Sequence, residues 1–424
     1  MAITQETCQL FTRFLEEELV PAMGCTEPIA IAYGAAYARR LLGKTPTAYD
    51  VQCSGNIIKN AMAVTVPQTG GLVGIQAAVL SGAIGGDADR ALEVLTTVTE
   101  EDLVQVRQAM EAGIVTVRPL DTTHTLHIII RETAGDDWVS VEILDTHTGL
   151  GEVVKNGEVL RQRQEKVQED PYAQRRCLNL KDILAYADTV DLDDVKELLE
   201  RQVAYNMAIS QEGLSNPWGA SVGQTLLRYT GEDLRTRMKA AAAAGSDARM
   251  NGCTLPVIIN SGSGNQGITV SLPVAVYAEH IGASHEKMLR ALCVANLLAI
   301  HQKTGIGRLS AFCGAVCAAT GAVAGIAYLD GASYEVMSQA IVNSLGNVGG
   351  MVCDGAKSSC AAKIASSLES ALLGYEMAKE QRGFTNGEGI VKADVEATIA
   401  SVGRMAAAGM RSTDREILEI MVSP

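Results

Sequence analysis

The sequence predicts an α+β protein: a mainly α-helical core with a small inserted antiparallel β-sheet domain. Three observations carry that reading. β-branched residues and turn signals concentrate between residues 114 and 154. Apolar residues at helical spacing dominate on either side of that stretch. Aromatics make up only 4% of the chain against 41 glycines, so packing must rest on small aliphatic side chains and close backbone contacts. At 424 residues the chain is too long for one simple core. Its pattern suggests an N-terminal helical part over 1–90, a small α+β domain over 91–178 and an all-helical part over 179–424.

Taken in order, Cys8, Leu10, Phe11, Phe14, Leu15 and Leu19 form one helical stripe, which Pro21 stops. A second helix is expected from about Glu27 to Leu42, with Thr26 as its N-cap and Pro28 in its first turn. Val51–Asn56 reads as a short strand ending in Ser54-Gly55-Asn56. Residues 58–66 and 72–83 read as helical or buried apolar segments. A helix near 100–112 precedes strands at Ile114–Arg118, Leu126–Arg131, Trp138–Leu144 and Glu152–Val154. The charged stretch 160–178 reads as a surface connection. From about 180 the pattern is helical, broken by Gly-rich loops at 261–267, 303–307, 346–350 and 353–355. Leu309–Leu329 is nearly free of charge and long enough to span a bilayer, but its Ala, Gly and Cys content favours a buried central helix.

Composition narrows the partners. With 35 basic and 49 acidic residues the net charge is −14, and no long basic run exists, which argues against nucleic acid. The N-terminus has no basic segment followed by an apolar one, so a cytoplasmic location is expected, with no membrane partner. Ala- and Gly-rich helices permit tight packing within one chain or between two, so a homodimer is one expected assembly. A reducing compartment means that ten cysteines do not read as five disulfides.

What the thiols do is therefore the main question. Cys8, Cys53, Cys177, Cys253, Cys293 and Cys317 read as small core residues. Cys25, Cys313 and Cys353 differ, because each sits in a polar, Gly-rich setting where a helix would begin or a tight Gly turn occurs: Cys25 just before a helix, Cys313 after the 303–310 segment and Cys353 at a loop-to-helix junction. At Cys25 the helix dipole and unpaired N–H groups favour a thiolate. No CxxC pair exists, so a zinc ribbon or a ferredoxin-type spacing is disfavoured. The loop Ser261-Gly262-Ser263-Gly264-Asn265-Gln266-Gly267 has the character of an anion-binding turn, and it lacks the Gly-Lys-Ser/Thr ending of a P-loop. Ser54, Asn56, Lys59 and Asn60 repeat that chemistry on a smaller scale. Among the histidines only His301, beside Lys303, lies near a candidate site.

Together, Gly24-Cys25-Thr26-Glu27-Pro28, Ser54-Gly55-Asn56 with Lys59-Asn60, the 261–267 loop and Cys353-Asp354-Gly355-Ala356-Lys357 resemble the L-cysteine desulfidase family. That family is related to the α-domain of the iron–sulfur L-serine dehydratases, and the likeness runs over essentially the whole chain. The resemblance implies a [4Fe-4S] cluster with three cysteine ligands and one open iron. It also implies a small amino-acid substrate, broken down to pyruvate and ammonia with loss of sulfide from L-cysteine, or of water from L-serine, without pyridoxal phosphate. Residue by residue, Cys25, Cys313 and Cys353 match the ligand positions, the last two forty residues apart. The related serine dehydratases take two ligands from a C-terminal pair, which Cys353 and Cys360 could imitate. Cys25 would then be free to act as an acid/base or gating thiol.

The expected roles follow from that likeness. Ser261, Ser263 and Asn265 would hold the substrate carboxylate, with Ser54, Asn56 and Asn60 as further substrate contacts. Lys59, Lys303 and Cys360 are the candidate catalytic groups, and the base among them is open. A chain without its cluster should still bring Cys25, Cys313 and Cys353 to one pocket, with a disulfide between two of them as one outcome. Two rivals stand beside this reading. One is a pyridoxal-phosphate dehydratase, with Lys59 as Schiff-base lysine and Ser263-Gly264-Asn265-Gln266-Gly267 as its substrate loop. Against it, the C-terminal half lacks alternating strands and helices. The other is a non-enzymatic small-molecule binding protein.

Overall fold

The structure is a computed structural model, and residues 3–163, 172–307 and 309–422 are described. The fold is α+β and mainly helical. Two hydrophobic cores organise it. The larger gathers Phe11, Phe14 and Leu15 from helix Gln5–Glu18 with the apolar faces of the helices beyond residue 178. The second runs from Ile29 to Val153 and joins helices Thr26–Leu42 and Gly74–Gly85 to a sheet. The chain thus starts in the larger core, crosses to the second near Cys25 and returns after the sheet.

The sheet has six strands, in the order Val115–Pro119, Ala48–Cys53, His127–Ala134, Asp137–Leu144, Leu150–Lys155 and Glu158–Arg161. Four pairings are antiparallel, as the sequence suggests. The pairing of Ala48–Cys53 with Val115–Pro119 is parallel instead. A parallel pair needs a crossover, and the helices between residues 55 and 111 supply it. The last of these, Glu100–Glu111, starts with a capping box between Thr99 and Asp102. Strand Glu158–Arg161 falls in a stretch whose charge hides it from the sequence pattern. Of the charged 160–178 stretch, residues 164–171 lie outside the described residues, and the rest includes a helical turn at Ala173–Cys177.

Small residues set the packing of the larger core. Gly314–Leu329 is buried along nearly its whole length among its neighbouring helices. Among the described residues no helix is long and apolar enough to cross a membrane. Helix Leu234–Met250 carries the Ala240–Ala244 run, which is buried throughout. A two-stranded ribbon pairs Pro21–Met23 with Pro256–Ile258 and brings the Cys25 segment beside the 261–267 loop.

The cysteines divide almost as the sequence suggests. Cys53, Cys253, Cys293 and Cys317 are buried, and Cys8 is half-buried. Cys177 is the exception: it is exposed on a surface turn, where its Sγ donates to the Gln174 carbonyl at 3.0 Å. All ten cysteines are free, so the disulfide considered above is not formed.

Candidate functional site

One cavity of about 100 Å³ collects the thiols of Cys25, Cys313, Cys353 and Cys360. It lies where the two cores meet. Cys25, Met250, Ala356 and Cys360 form a small apolar cluster there with Val64; Phe312, Cys313 and Ile364 come from the larger core, and Leu309 packs on the second.

Local backbone explains the convergence. Cys25 is the N-cap of Thr26–Leu42, Cys313 that of Gly314–Leu329 and Ser263 that of Gly264–His280, each without a side-chain cap bond. Cys360 lies in the first turn of Ser359–Lys379. Four helix N-termini therefore border the cavity, with unpaired N–H groups and positive dipole ends that suit anionic groups. Thr26 is not the cap that its sequence position suggests. Its Oγ1 donates instead to the Gly262 carbonyl and to Glu27 Oε2, both at 3.1 Å, tying the Cys25 turn to the 261–267 loop.

The Cys353 loop is fixed from two directions. Asp354 pairs with Lys357 at 2.7 Å and also with Lys363. Burial opposes its ionisation, but these two lysines hold its carboxyl down to about 2. On the other side, Gly355 has φ +97°, and a Cβ there would lie 2.3 Å from the Lys59 carbonyl oxygen. Only glycine permits that approach.

Burial dominates the thiol electrostatics. It pushes the Cys25 thiol well up, aided by neighbouring Glu27. It pushes Cys313 to about 12, aided by Cys353, and it also raises Cys360. Cys25 Sγ donates to Glu27 Oε2 at 2.9 Å, and Asn60 Nδ2 donates to Glu27 Oε1 at 3.0 Å. Burial opposes ionisation of Glu27, but His147, the Cys25 thiol and Arg249 together leave its carboxyl below the usual range. Cys353 and Cys360 act by charge on Cys313, and Cys353 on Cys360, while Cys25 acts on Glu27, and both Cys25 and Cys360 act on Arg249.

The remaining sequence candidates separate. Lys303, Asn60, Ser263 and Asn265 line the cysteine cavity. Ser261 faces a smaller side pocket, and its Oγ donates to Asn260 Oδ1 at 2.8 Å. Ser54 and Asn56 line a neighbouring cleft of about 660 Å³, which shares Leu309 and Ser310 with the cysteine cavity. Lys59 is buried and paired with Asp414 of the last helix, while its backbone touches the Cys353 loop. His301 pairs with Glu396 at 2.6 Å and is not among the cavity residues. Sequence reasoning missed Glu27, Arg249 and Gln266. Glu27 lies inside the Gly24–Pro28 motif and could have been found there, whereas Arg249 carries no motif at all.

The donor chemistry can be tested against the cofactor that the resemblance implies. Among the described residues, no three His, Cys, Asp or Glu side chains converge as the ligands of a single metal ion. The thiols instead stand around a cavity. That spread suits a body with several metal corners held by thiolates, so the residues fit an iron–sulfur cluster.

The family model for the serine dehydratase alpha chain matches residues 89–419. A UPF0597 protein of Lachnoclostridium phytofermentans is 51% identical over 96% of this chain and 98% of its own length. Another from Treponema denticola is 48% identical over the full length of both chains. A third, from Finegoldia magna, is 45% identical over 97% of this chain and 99% of its own. The chain therefore belongs to the UPF0597 family, which is related to the serine dehydratase alpha chain.

Proposed function

We propose that this protein is a lyase of the L-cysteine desulfidase and L-serine dehydratase type. It would use a [4Fe-4S] cluster held by Cys25, Cys313 and Cys353. The observation that carries this reading is the meeting of four thiols around one cavity, those of Cys25, Cys313 and Cys360 at helix N-termini and that of Cys353 on the adjoining loop, in a chain whose relatives include the serine dehydratase alpha chain.

A cluster bound by three thiolates keeps one iron open as a Lewis acid for the substrate's β-substituent. The protein's own groups do the rest. Ser263 and Asn60 offer hydrogen bonds to an amino acid in the cavity. Lys303 and Cys360 are the wall groups able to carry a proton at the substrate Cα. Lys59 acts at one remove: its pairing with Asp414 anchors the segment that presents Asn60. For L-cysteine, loss of the Cα proton and of sulfide leaves 2-aminoacrylate. Addition of water then yields pyruvate and ammonium. L-Serine would lose water in place of hydrogen sulfide.

One observation favours a second ligand set. Cys353 and Cys360 act by charge on Cys313, Cys353 acts on Cys360, and Lys357 and Lys363 favour the Cys360 thiolate against its burial. Cys360 would then replace Cys25 as third ligand, and Cys25 with Glu27 would face the substrate.

The pyridoxal-phosphate alternative draws no support from the fold. Lys59 is paired with Asp414 and does not line the cysteine cavity, and among the described residues the C-terminal half carries one short strand, Pro256–Ile258, among its helices. The test is an anaerobic assay of pyruvate, sulfide and ammonium with L-cysteine and L-serine. Pyruvate from at least one of them is expected, and release from neither contradicts the reading.

A further inference from the structure

The cysteine cavity contains two buried polar groups that the chain leaves unsatisfied. Arg249, at the end of helix Leu234–Met250, is 2% exposed. Its Nη1 donates to Asn265 Oδ1 at 3.1 Å, and its Nε has no hydrogen-bond partner. Glu27, Cys25 and Cys360 act on it by charge alone. Gln266, in the first turn of Gly264–His280, is 5% exposed, and its Oε1 is also buried without a partner. Both residues line the cavity.

The 261–267 loop is shaped around this guanidinium. A Cβ on Gly264 would come within 2.3 Å of Arg249 Nε and 2.7 Å of its Cζ. The glycine is thus a seat for the arginine, and the loop presents a cation to the cavity rather than bare N–H groups alone.

A buried guanidinium without a salt-bridge partner costs several kcal/mol, and a carboxylate ligand would offset that cost. The planar fork of arginine matches a carboxylate in a two-bond arrangement. A lone amide oxygen lining the same cavity is an acceptor for an ammonium group. The two together form a donor pole and an acceptor pole, and a free α-amino acid carries the complementary pair.

We propose that Arg249 binds the α-carboxylate, and Gln266 the α-ammonium, of a free α-amino acid in this cavity. Its place in turnover rests on the elimination reading above; the binding itself does not. It implies that amides and N-acyl derivatives of the substrate are rejected, because each removes one pole.

The test is calorimetric titration of the anaerobically purified protein with L-alanine, which keeps both poles and lacks a leaving group. The wild type should bind it. Arg249→Met and Gly264→Ala should each weaken binding by about 100-fold, and Arg249→Lys should recover part of the loss. Gln266→Leu should weaken it by about tenfold. Without ligand, Arg249→Met should melt no lower than the wild type, since it removes an unpaired buried charge. The proposal is overturned if the wild type does not bind L-alanine, or if Arg249→Met binds it within about threefold of the wild type. It is also overturned if the unliganded Arg249→Met variant melts lower, which would mark a structural role. Arg249-dependent binding without pyruvate release would sink the elimination reading and leave this one standing. Pyruvate release with KM unchanged in Arg249→Met would do the reverse.

Discussion

Phe312 and Val352 pair as an isolated antiparallel bridge. Beside it, the Cys313 amide donates to the Met351 carbonyl at 3.0 Å, and the Cys353 amide donates to the Ala311 carbonyl at 2.6 Å. Two thiols forty residues apart in the chain therefore share one backbone ribbon. Their spacing at the cavity is set by main-chain bonds, not by side-chain rotamers.

That ribbon makes Cys313 and Cys353 a unit. Cys313→Ala and Cys353→Ala are each expected to lose bound iron and activity together. Cys8→Ala and Cys177→Ala, away from the cavity, should keep both. The third ligand follows from the same iron analysis. Cys25→Ala should lose iron and Cys360→Ala should retain it; the opposite pattern would establish the Cys360 ligand set.

Gly355 tests how tightly the Cys353 loop is held. Its φ is +97°, and the Lys59 carbonyl oxygen would stand 2.3 Å from an alanine methyl at this position, so alanine has no room. Gly355→Ala should lower stability by about 1–3 kcal/mol and reduce iron incorporation. A variant with wild-type urea midpoint and iron content would show that the loop yields easily.

The Lys59–Asp414 pair ties the last helix, Arg411–Val422, to the segment that carries Asn60. The Lys59 side chain is 1% exposed, so removing its partner leaves a buried charge. Asp414→Asn should cost about 3 kcal/mol in urea denaturation, and Lys59→Met combined with Asp414→Leu should recover most of it. Additive losses would mean that the pair is not coupled.

Much of this was legible in the sequence. Helical spacing located Gln5–Glu18 and Thr26–Leu42, and β-branched runs located four strands, because both patterns are local. The thiols of Cys25, Cys313 and Cys353 stood out because of their polar, Gly-rich settings; Cys25 and Cys313 do cap helices, whereas the helix after Cys353 starts only at Ser359. The parallel pairing of Ala48–Cys53 was not legible, since it depends on a crossover through three α-helices and a 3-10 segment. Nor was the separation of Ser54 and Asn56 from the cysteine cavity. A Ser-Gly-Asn turn has the same sequence whichever cleft it faces. Arg249 was invisible for a related reason: its meaning comes from burial and a missing partner, and neither is a sequence pattern.

Glu132 supplies a pH test away from the site. It is fully buried, both carboxyl oxygens lack partners, and burial pushes it up to about 8 despite Arg39 nearby. Its unfolded value is about 4.3, so the folded state prefers the protonated form. The stability this gives is complete below about pH 4, declines as pH rises and is lost above about pH 8. Glu132→Gln removes that dependence. It should match the wild type near pH 5 and exceed it near pH 9, by on the order of 2–4 kcal/mol. A difference that does not change with pH contradicts the assignment.

The most direct measurement is the iron and acid-labile sulfide content of the anaerobically reconstituted protein, taken with pyruvate release from L-cysteine and L-serine on the same samples. The expected result is a brown protein with about four irons and four sulfides per chain, whose activity falls with its iron content and is absent in Cys313→Ala. A colourless, iron-free protein that is fully active would contradict the account.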